Sequence, residues 1–299
     1  MSIIAISLGL LGFFVLSACL WQHSRYLKIR REIVQDQQPM LYPGQTFHAV
    51  IYLKVESGED VIGAARSLRP VLESPNAGTI VYAGQAGCSL VRSEQVDNDW
   101  DAVLLVQYES RQAFDAARDR AEQREALAAF ERVYIHGFQR SALINLMIPQ
   151  SLLKLRVTDI LRRTPSSLPF VPVGDHTFPS QKVMIEEAKA LDTLRHLCED
   201  AVVVFNLIKP GDAVQRAADR AYTQSLRSAM AERDHGSMHV GRAVTVEGDA
   251  EFSAVAIVYY PGITYLQNML GSTFMNRIGE GKQQGDSLAV VTVPFLSTL

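Results

Sequence analysis

The sequence predicts an α+β protein in which two β-α-β-β-α-β units follow one N-terminal membrane-spanning helix. Three observations support this prediction: an uncharged apolar stretch at residues 2–21, two polar or proline-rich breaks, and the same order of strand and helix patterns on both sides of the second break. The predicted divisions are a transmembrane anchor at 1–21, a juxtamembrane linker at 22–45, a first unit with a C-terminal helix at 46–163, a proline-rich linker at 164–180, and a second unit with an N-terminal helix at 181–299.

The composition narrows the class of protein. The chain has 299 residues, of which 47% are hydrophobic and 20% are charged, and this excludes a disordered or collagen-like protein. Its 29 basic and 32 acidic residues give a net charge of −3, which argues against a nucleic-acid partner. The three cysteines show no metal-like spacing and are too few for a disulfide framework. We therefore expect no metal and no bound cofactor.

The N-terminal stretch has the length of a membrane span. At about 1.5 Å per residue, residues 2–21 would cross a hydrocarbon core of about 30 Å. Basic residues follow the stretch at 25–31 and none precedes it, which predicts a single-pass helix in the inner (plasma) membrane with a cytoplasmic C-terminal body. A lipoprotein anchored at Cys19 is the alternative, because residues 16–19 are similar to a bacterial lipobox.

The first unit alternates strand and helix patterns. Ser110 is a suitable cap for its second helix, and Pro70 should end or bend the first helix early. His136 and Gly137 then fall in a turn before the last strand. The predicted order is a strand at 47–55, a helix from 58, strands at 79–91 and 102–108, a helix from 110 toward 130, and a closing strand at 141–148.

The second unit repeats this order. Its strands are predicted at 201–208, 238–246, 252–260 and 287–293, with helices from 211 and at 263–278. Three pairs of segments also match in sequence and in order, which predicts an internal duplication. The pairs are 82–86 with 239–243, 102–108 with 254–260, and 141–149 with 287–294.

Three segments of the second unit resemble a known group of proteins. His-Val-Gly-Arg-Ala at 239–243, Ala-Val-Ala-Ile-Val-Tyr-Tyr at 254–260 and Thr-Phe-Met-Asn-Arg at 273–277 are similar to small uncharacterised members of the dimeric α/β-barrel superfamily. The resemblance implies two tandem ferredoxin-like units that pack sheet to sheet as an intrachain α/β-barrel pseudo-dimer, with a cavity between sheet and helices. Its members use that cavity for monooxygenation, isomerisation, haem chemistry or binding, so the fold alone selects no function.

The candidate site residues all lie in the second unit. His239 would serve as a general base or haem ligand, Arg242 would bind an anion, and Tyr259 completes the candidate catalytic group. Asn206 and Tyr260 join His239 and Arg242 as candidate ligand-binding residues, because a buried amide left unpaired costs about 1–3 kcal/mol. The first unit has other residues in place of His239 and Arg242, so we expect a pocket in the second unit only.

The sequence leaves the function open. It contains no phosphate-binding loop, no zinc-protease motif and no nucleophile elbow. We therefore expect a membrane-anchored module that binds a small apolar molecule or a protein partner at the membrane surface. The alternatives are a cofactor-independent oxygenase or isomerase that acts on a lipophilic substrate, and a scaffold subunit of a membrane complex.

Overall fold

The computed structural model describes residues 3–74, 77–163, 170–174, 178–231 and 235–299, without the side chains of residues 3–6 and 8. The helices are α1 (Ile3–Lys28), α2 (Val61–Leu72), α3 (Arg111–Arg118), α4 (Ala121–Ala128), α5 (Ile144–Leu161), α6 (Pro179–Ala188), α7 (Ala213–Ala231), α8 (Ile263–Leu270) and α9 (Thr273–Ile278). The strands are β1 (Phe47–Lys54), β2 (Thr79–Val91), β3 (Ala102–Tyr108), β4 (Arg132–Gln139), β5 (Val202–Lys209), β6 (Gly236–Thr245), β7 (Ala254–Tyr260) and β8 (Asp286–Pro294).

The eight strands in the described part of the chain close into one antiparallel barrel in the order β1-β3-β2-β8-β5-β7-β6-β4. Two seams join the strands before and after the central break: β2 pairs with β8, and β4 pairs with β6. The edge strands of one half therefore satisfy their main-chain hydrogen bonds with strands of the other half. The predicted pair of ferredoxin-like units, stacked sheet to sheet behind a membrane helix, is wrong for this reason.

The predicted membrane anchor is also wrong. Within the described ranges, no helix combines the length and the apolar character that a membrane span requires. Helix α1 runs on past Trp21 to Lys28 and packs its polar end on the body, with Gln22 and Tyr26 buried. The prediction of a single-pass plasma-membrane protein is corrected accordingly, whereas the membrane as partner of residues 2–21 stays a prediction. Residues 1 and 2 lie outside the described residues.

The end of the first half differs from the prediction. The predicted strand at 141–148 is wrong, because α5 begins there and β4 is the fourth strand. Side chains along β4 alternate between the barrel interior, which receives Tyr134 and Phe138, and the outer layer, which receives Ile135. His136 and Gly137 continue this strand instead of forming a turn. One of the three repeat matches therefore aligns a helix with a strand, and the internal duplication stays a prediction.

The predicted linkers contain ordered structure. Residues 34–46 enter the body of the protein and bury Val34, Asp36 and Gln38 there. Within the proline-rich linker, residues 164–169 and 175–177 lie outside the described residues. Pro172 forms an isolated bridge with Ser272, and Pro179 is the first residue of α6, where its missing N–H carries no cost. The domain boundaries themselves stay predictions.

Among the described residues, four apolar clusters form the core, and the smallest of them joins α1, α5 and α7. The barrel interior combines side chains of both halves, such as Val50, Val103, Phe205 and Val255. A first outer layer packs α2 and α3 on the strands of the first half, and a second outer layer packs α6, α8 and α9 on the strands of the second half. Helix α7 covers the remainder of the second half, and the candidate site lies beneath it.

Candidate functional site

A cleft of about 480 Å³ lies in the second outer layer, between the barrel wall and its covering helices. Alternate residues of β5 and β7 point outward and form its floor, among them Val204, Ala256 and Val258. Helix α7 forms one wall through Tyr222 and other residues at spacings of three and four, which lie on one helix face. Helices α5, α6, α8 and α9, strand β6 and residues 279–284 also contribute to the lining.

The lining is apolar and adaptable. Five of the eight methionines in the chain are among the described residues that line the cleft. Methionine is unbranched and polarizable, so it adapts to ligands of different shape better than branched aliphatic side chains do. The lining methionines are Met147, Met184, Met230, Met269 and Met275.

Polar groups lie at defined places in this apolar surface. On the floor, Asn206 Nδ2 donates to the carbonyl oxygens of Ala256 at 2.9 Å and Val204 at 3.2 Å. Ser151 and Arg227 meet elsewhere on the lining, with Arg227 Nη2 3.5 Å from Ser151 Oγ. The amide of Asn206 is therefore held by the main chain, which orients it within the floor of the cleft.

A titratable group occupies the part of the lining formed by the first half of α7 and residues 279–284. Gln284 Nε2 donates to Asp219 Oδ1 at 3.2 Å, and burial raises the pKa of Asp219. Burial lowers the pKa of Lys282 to about 8, although Asp219 opposes that shift. The cleft thus holds an amine that exchanges protons near neutral pH.

The structure separates the candidate residues into two groups. Asn206 and Tyr260 line the cleft, whereas His239, Arg242 and Tyr259 do not. Tyr259 faces the barrel interior and its hydroxyl donates to the Asp200 carbonyl at 3.4 Å. Arg242 is exposed in the seam between β4 and β6. The predicted catalytic group of His239, Arg242 and Tyr259 is therefore not assembled.

His239 belongs to a buried polar network with residues of the predicted linker. Its Nε2 donates to Asp36 Oδ2 at 2.7 Å, and Arg140 Nη1 donates to its Nδ1. Arg30 binds the same Asp36 oxygen through Nε at 3.0 Å and Nη2 at 2.5 Å. These contacts assign the neutral tautomer with the proton on Nε2. Both ring nitrogens are thus engaged within the network, and a role of His239 as a base or haem ligand stays a prediction.

The charge states of Asp36 and His239 allow this network to hold residues 30–38 in place. Burial alone would raise the pKa of Asp36, but Arg30 and His239 outweigh that effect and hold the pKa well below its usual range. Burial lowers the pKa of His239 to about 4 and that of Arg140 to about 10. Asp36 therefore carries its charge at neutral pH while His239 is neutral, and the network fixes residues 30–38 to the strands.

Sequence reasoning missed the titratable residues of the cleft. Asp219 and Tyr222 share a helix face, but their spacing also fits an ordinary solvated helix. Lys282 follows a short 3₁₀ turn at Gly279–Gly281, and no local pattern distinguishes it from a surface lysine. The described residues contain no group of three or more His, Cys, Asp or Glu that could hold a metal ion.

Comparison with known proteins gives structural likeness only. No protein-family model and no curated protein matches the chain. An anthrone oxidase-like protein matches at 9% identity and a TM-score of 0.45, covering 84% of this chain and 92% of its own. A dye-decolorizing protein from V. cholerae matches at 13% identity and a TM-score of 0.44, and the match covers 88% of this chain and 97% of that protein. A mutant chlorite dismutase from Candidatus Nitrospira defluvii matches at 11% identity and a TM-score of 0.41, and the match covers 87% of this chain and 96% of that protein.

At TM-scores below 0.5 these matches carry no argument, so the resemblance to the dimeric α/β-barrel superfamily stays a prediction. The function must be argued from the cleft.

Proposed function

We propose that the protein binds a small lipophilic molecule in the cleft of the second outer layer. The observation that carries this proposal is the cleft itself: about 480 Å³ of space with an apolar, methionine-rich lining and a few placed polar groups. Small-molecule sites have this composition, and their volumes lie between about 300 and 1,000 Å³.

The dimensions agree with an elongated or flat ligand. Helix α7 lines the cleft from Asp219 to Met230, and at 1.5 Å per residue these eleven steps span roughly 16 Å. The methionines favour tolerance of ligand shape, whereas Asn206 and Lys282 favour a ligand that carries a polar group. The membrane surface has no part in this proposal. The protein-partner and scaffold alternatives stay predictions.

A fluorescent lipophile tests the proposal. N-phenyl-1-naphthylamine should bind the full-length chain with an increase in fluorescence, and decanal or decanoate should displace it. Ala256→Leu adds three carbons to the floor and should weaken dye binding about tenfold or more, since an inserted side chain removes ligand volume. Ala217→Leu, at an exposed position of α7 outside the lining, is the matched control. Equal dye binding by both variants would refute the proposed site.

A cofactor-independent isomerase or oxygenase is the second candidate. The observation that favours it is the Lys282 amine, whose pKa of about 8 suits a general base. Such a base would remove a proton from an activated carbon of the bound substrate. The resulting carbanion would be reprotonated at another carbon or would react with oxygen.

Proton exchange with solvent tests this second candidate without knowledge of the product. A bound lipophilic ketone such as 2-decanone should gain deuterium at carbons next to the carbonyl when the protein is incubated in D₂O. Lys282→Met should abolish that gain, and Lys209→Met should retain it because Lys209 lies outside the cleft lining and is ion-paired with Glu251 at 2.6 Å. Exchange that is equal with and without protein would exclude the candidate.

A further inference from the structure

The position of Lys282 is defined by close packing. The turn Gly279–Gly281 lies against α7 so tightly that a Cβ added at Gly281 would approach Tyr222 Cβ to 3.2 Å. The main-chain N–H of Lys282 then donates to the Gly279 carbonyl at 3.1 Å. This packing places the lysine at the lining of the cleft beside the first half of α7.

The amine of Lys282 forms no hydrogen bond and no ion pair with another described residue. Other lysines differ: Lys209 pairs with Glu251 at 2.6 Å, and Lys189 pairs with Glu186 at 2.7 Å. Asp219 is the carboxylate that raises the pKa of Lys282, and its Oδ1 already accepts a hydrogen bond from Gln284. The amine therefore remains available to a group that a ligand in the cleft supplies.

We propose that Lys282 Nζ captures the carbonyl group of a lipophilic aldehyde or ketone as an imine. The inference rests on the proposed function, because it identifies the chemical class of the ligand that the cleft binds. It specifies the contact that Lys282 would make with the polar group of that ligand.

The proposed step balances without a further reactant. The nitrogen lone pair attacks the carbonyl carbon, the C–O π pair moves to oxygen, and a proton passes from nitrogen to oxygen. The hydroxyl then gains a proton and leaves as water, and the nitrogen lone pair forms the C=N bond as the C–O bond breaks. Loss of the remaining N–H proton yields the neutral imine. Neither oxidant nor reductant is required.

The surroundings suit this chemistry. Burial lowers the pKa of Lys282 to about 8, so a useful fraction of the amine is uncharged and nucleophilic near neutral pH. Asp219 and Tyr222 are the titratable groups that face it from α7, and burial raises the pKa of both. The hydroxyl of Tyr222 stays protonated at neutral pH and can donate to the departing oxygen, which assists the loss of water.

Reductive trapping tests the proposal. The full-length chain is incubated with decanal and sodium cyanoborohydride, and intact mass with peptide mapping locates the product. We expect one decyl group, on Lys282. The rate of labelling should fall about tenfold or more in Lys282→Arg, which keeps the charge but removes the nucleophile. Lys209→Arg is the matched control and should label like the wild type. Decane should protect Lys282 in the wild-type protein, a result that depends on no variant.

The outcomes separate the two proposals. Labelling of surface lysines at the rate of Lys282, or normal labelling of Lys282→Arg, overturns the imine. If decanoate displaces the dye in a Lys282-dependent manner and decanal leaves no adduct, Lys282 is a charge partner: the imine is overturned and the proposed function stands. If neither decanal, decanoate nor the dye binds the wild type, the proposed function fails as well.

Discussion

The two outer layers of the barrel differ although strands of the same order lie beneath them. Around the barrel, the strands of the first half follow the order β4-β1-β3-β2, and those of the second half follow the order β8-β5-β7-β6. If the strands of each half are numbered one to four along the chain, the two orders are the same. In the first half, α2 seals the sheet with Ala65, Leu68 and Leu72, which are fully buried. In the second half, α7 buries fully only its end, Ala229 to Ala231, and the cleft lies beneath the rest.

The difference has a local origin in the sheet. Ile51 pairs with Leu104 at the middle of the first outer face, and both are fully buried. At the corresponding register of the second half, Asn206 pairs with Ala256. A polar amide and a methyl group replace two large aliphatic side chains there, so less volume reaches the helix. The same scaffold is therefore closed or open according to a few side chains.

The largest expected effect comes from opening the closed layer. Leu104→Ala should reduce the free energy of unfolding by about 2–5 kcal/mol, because it leaves a cavity in a layer that has no room to relax. Val258→Ala, on the floor of the existing cleft, should cost clearly less. Urea denaturation of both variants measures the difference, and equal losses would show that the two layers are packed alike.

Acid should weaken the interior that supports both layers. Burial lowers the pKa of His136 and His239 to about 4 in the folded protein, whereas an unfolded histidine has a pKa of about 6.5. The unfolded state therefore binds protons first, and stability falls as the pH drops from about 6.5 toward 4.

Midpoints of urea denaturation, measured between about pH 6.5 and pH 4, test whether stability falls on acidification. His136→Gln should flatten the dependence, since it removes one of the groups that titrate only on unfolding. The exposed His196 is the control, and His196→Gln should leave the pH profile unchanged. A protein whose stability rises on acidification would contradict the assignment of neutral buried histidines.

Closing the open layer should change binding more than stability. The double variant Asn206→Ile and Ala256→Leu gives the second half the bulk of the first. The added carbons contribute about 0.8 kcal/mol per buried CH₂, and the lost amide hydrogen bonds cost about 1 kcal/mol each, so the net change in stability should be small. Dye titration should show loss of binding in a protein that unfolds normally, and retained binding would place the ligand elsewhere.

The smallest effect concerns the unpaired amine. Lys282→Met should raise stability at pH 7 by about 1 kcal/mol or less, since solvent screens a partly exposed charge. The folded pKa is about 8 and the unfolded pKa is higher, so the cost is present below pH 8 and disappears as the pH rises above the unfolded value. Thermal unfolding at neutral and alkaline pH measures this gain, which Lys209→Met should lack.

The local pattern of apolar residues predicted most strands correctly, but it failed where the same pattern fits both a strand and a helix. The predicted strands at 79–91 and 102–108 coincide with β2 and β3, because alternation along these segments reflects their two buried faces. Residues 141–148 are a short apolar run of the kind that fits strand and helix alike, and the structure forms α5 there. The N-terminal hydropathy pattern likewise carried no information that the polar end of α1 packs on the body.

The candidate site residues likewise fall into those that a local pattern predicted and those whose surroundings depend on distant segments. Asn206 attracted notice as the lone amide of an apolar strand, and that local contrast reflects its place on the cleft floor. His239 stood out by residue type, but its partners Asp36 and Arg140 are distant in sequence, so the network that engages it could not be foreseen.

By itself, the sequence determined the alternation of strands and helices and the apolar character of the faces that pack together, because these depend on neighbouring residues. Only the tertiary structure decided that the edges of the two halves pair into one closed barrel, that the second outer layer stays open above Asn206 and Ala256, and that Lys282 faces the cleft without a partner. Each of these depends on contacts between distant segments, whose free energies no local pattern contains.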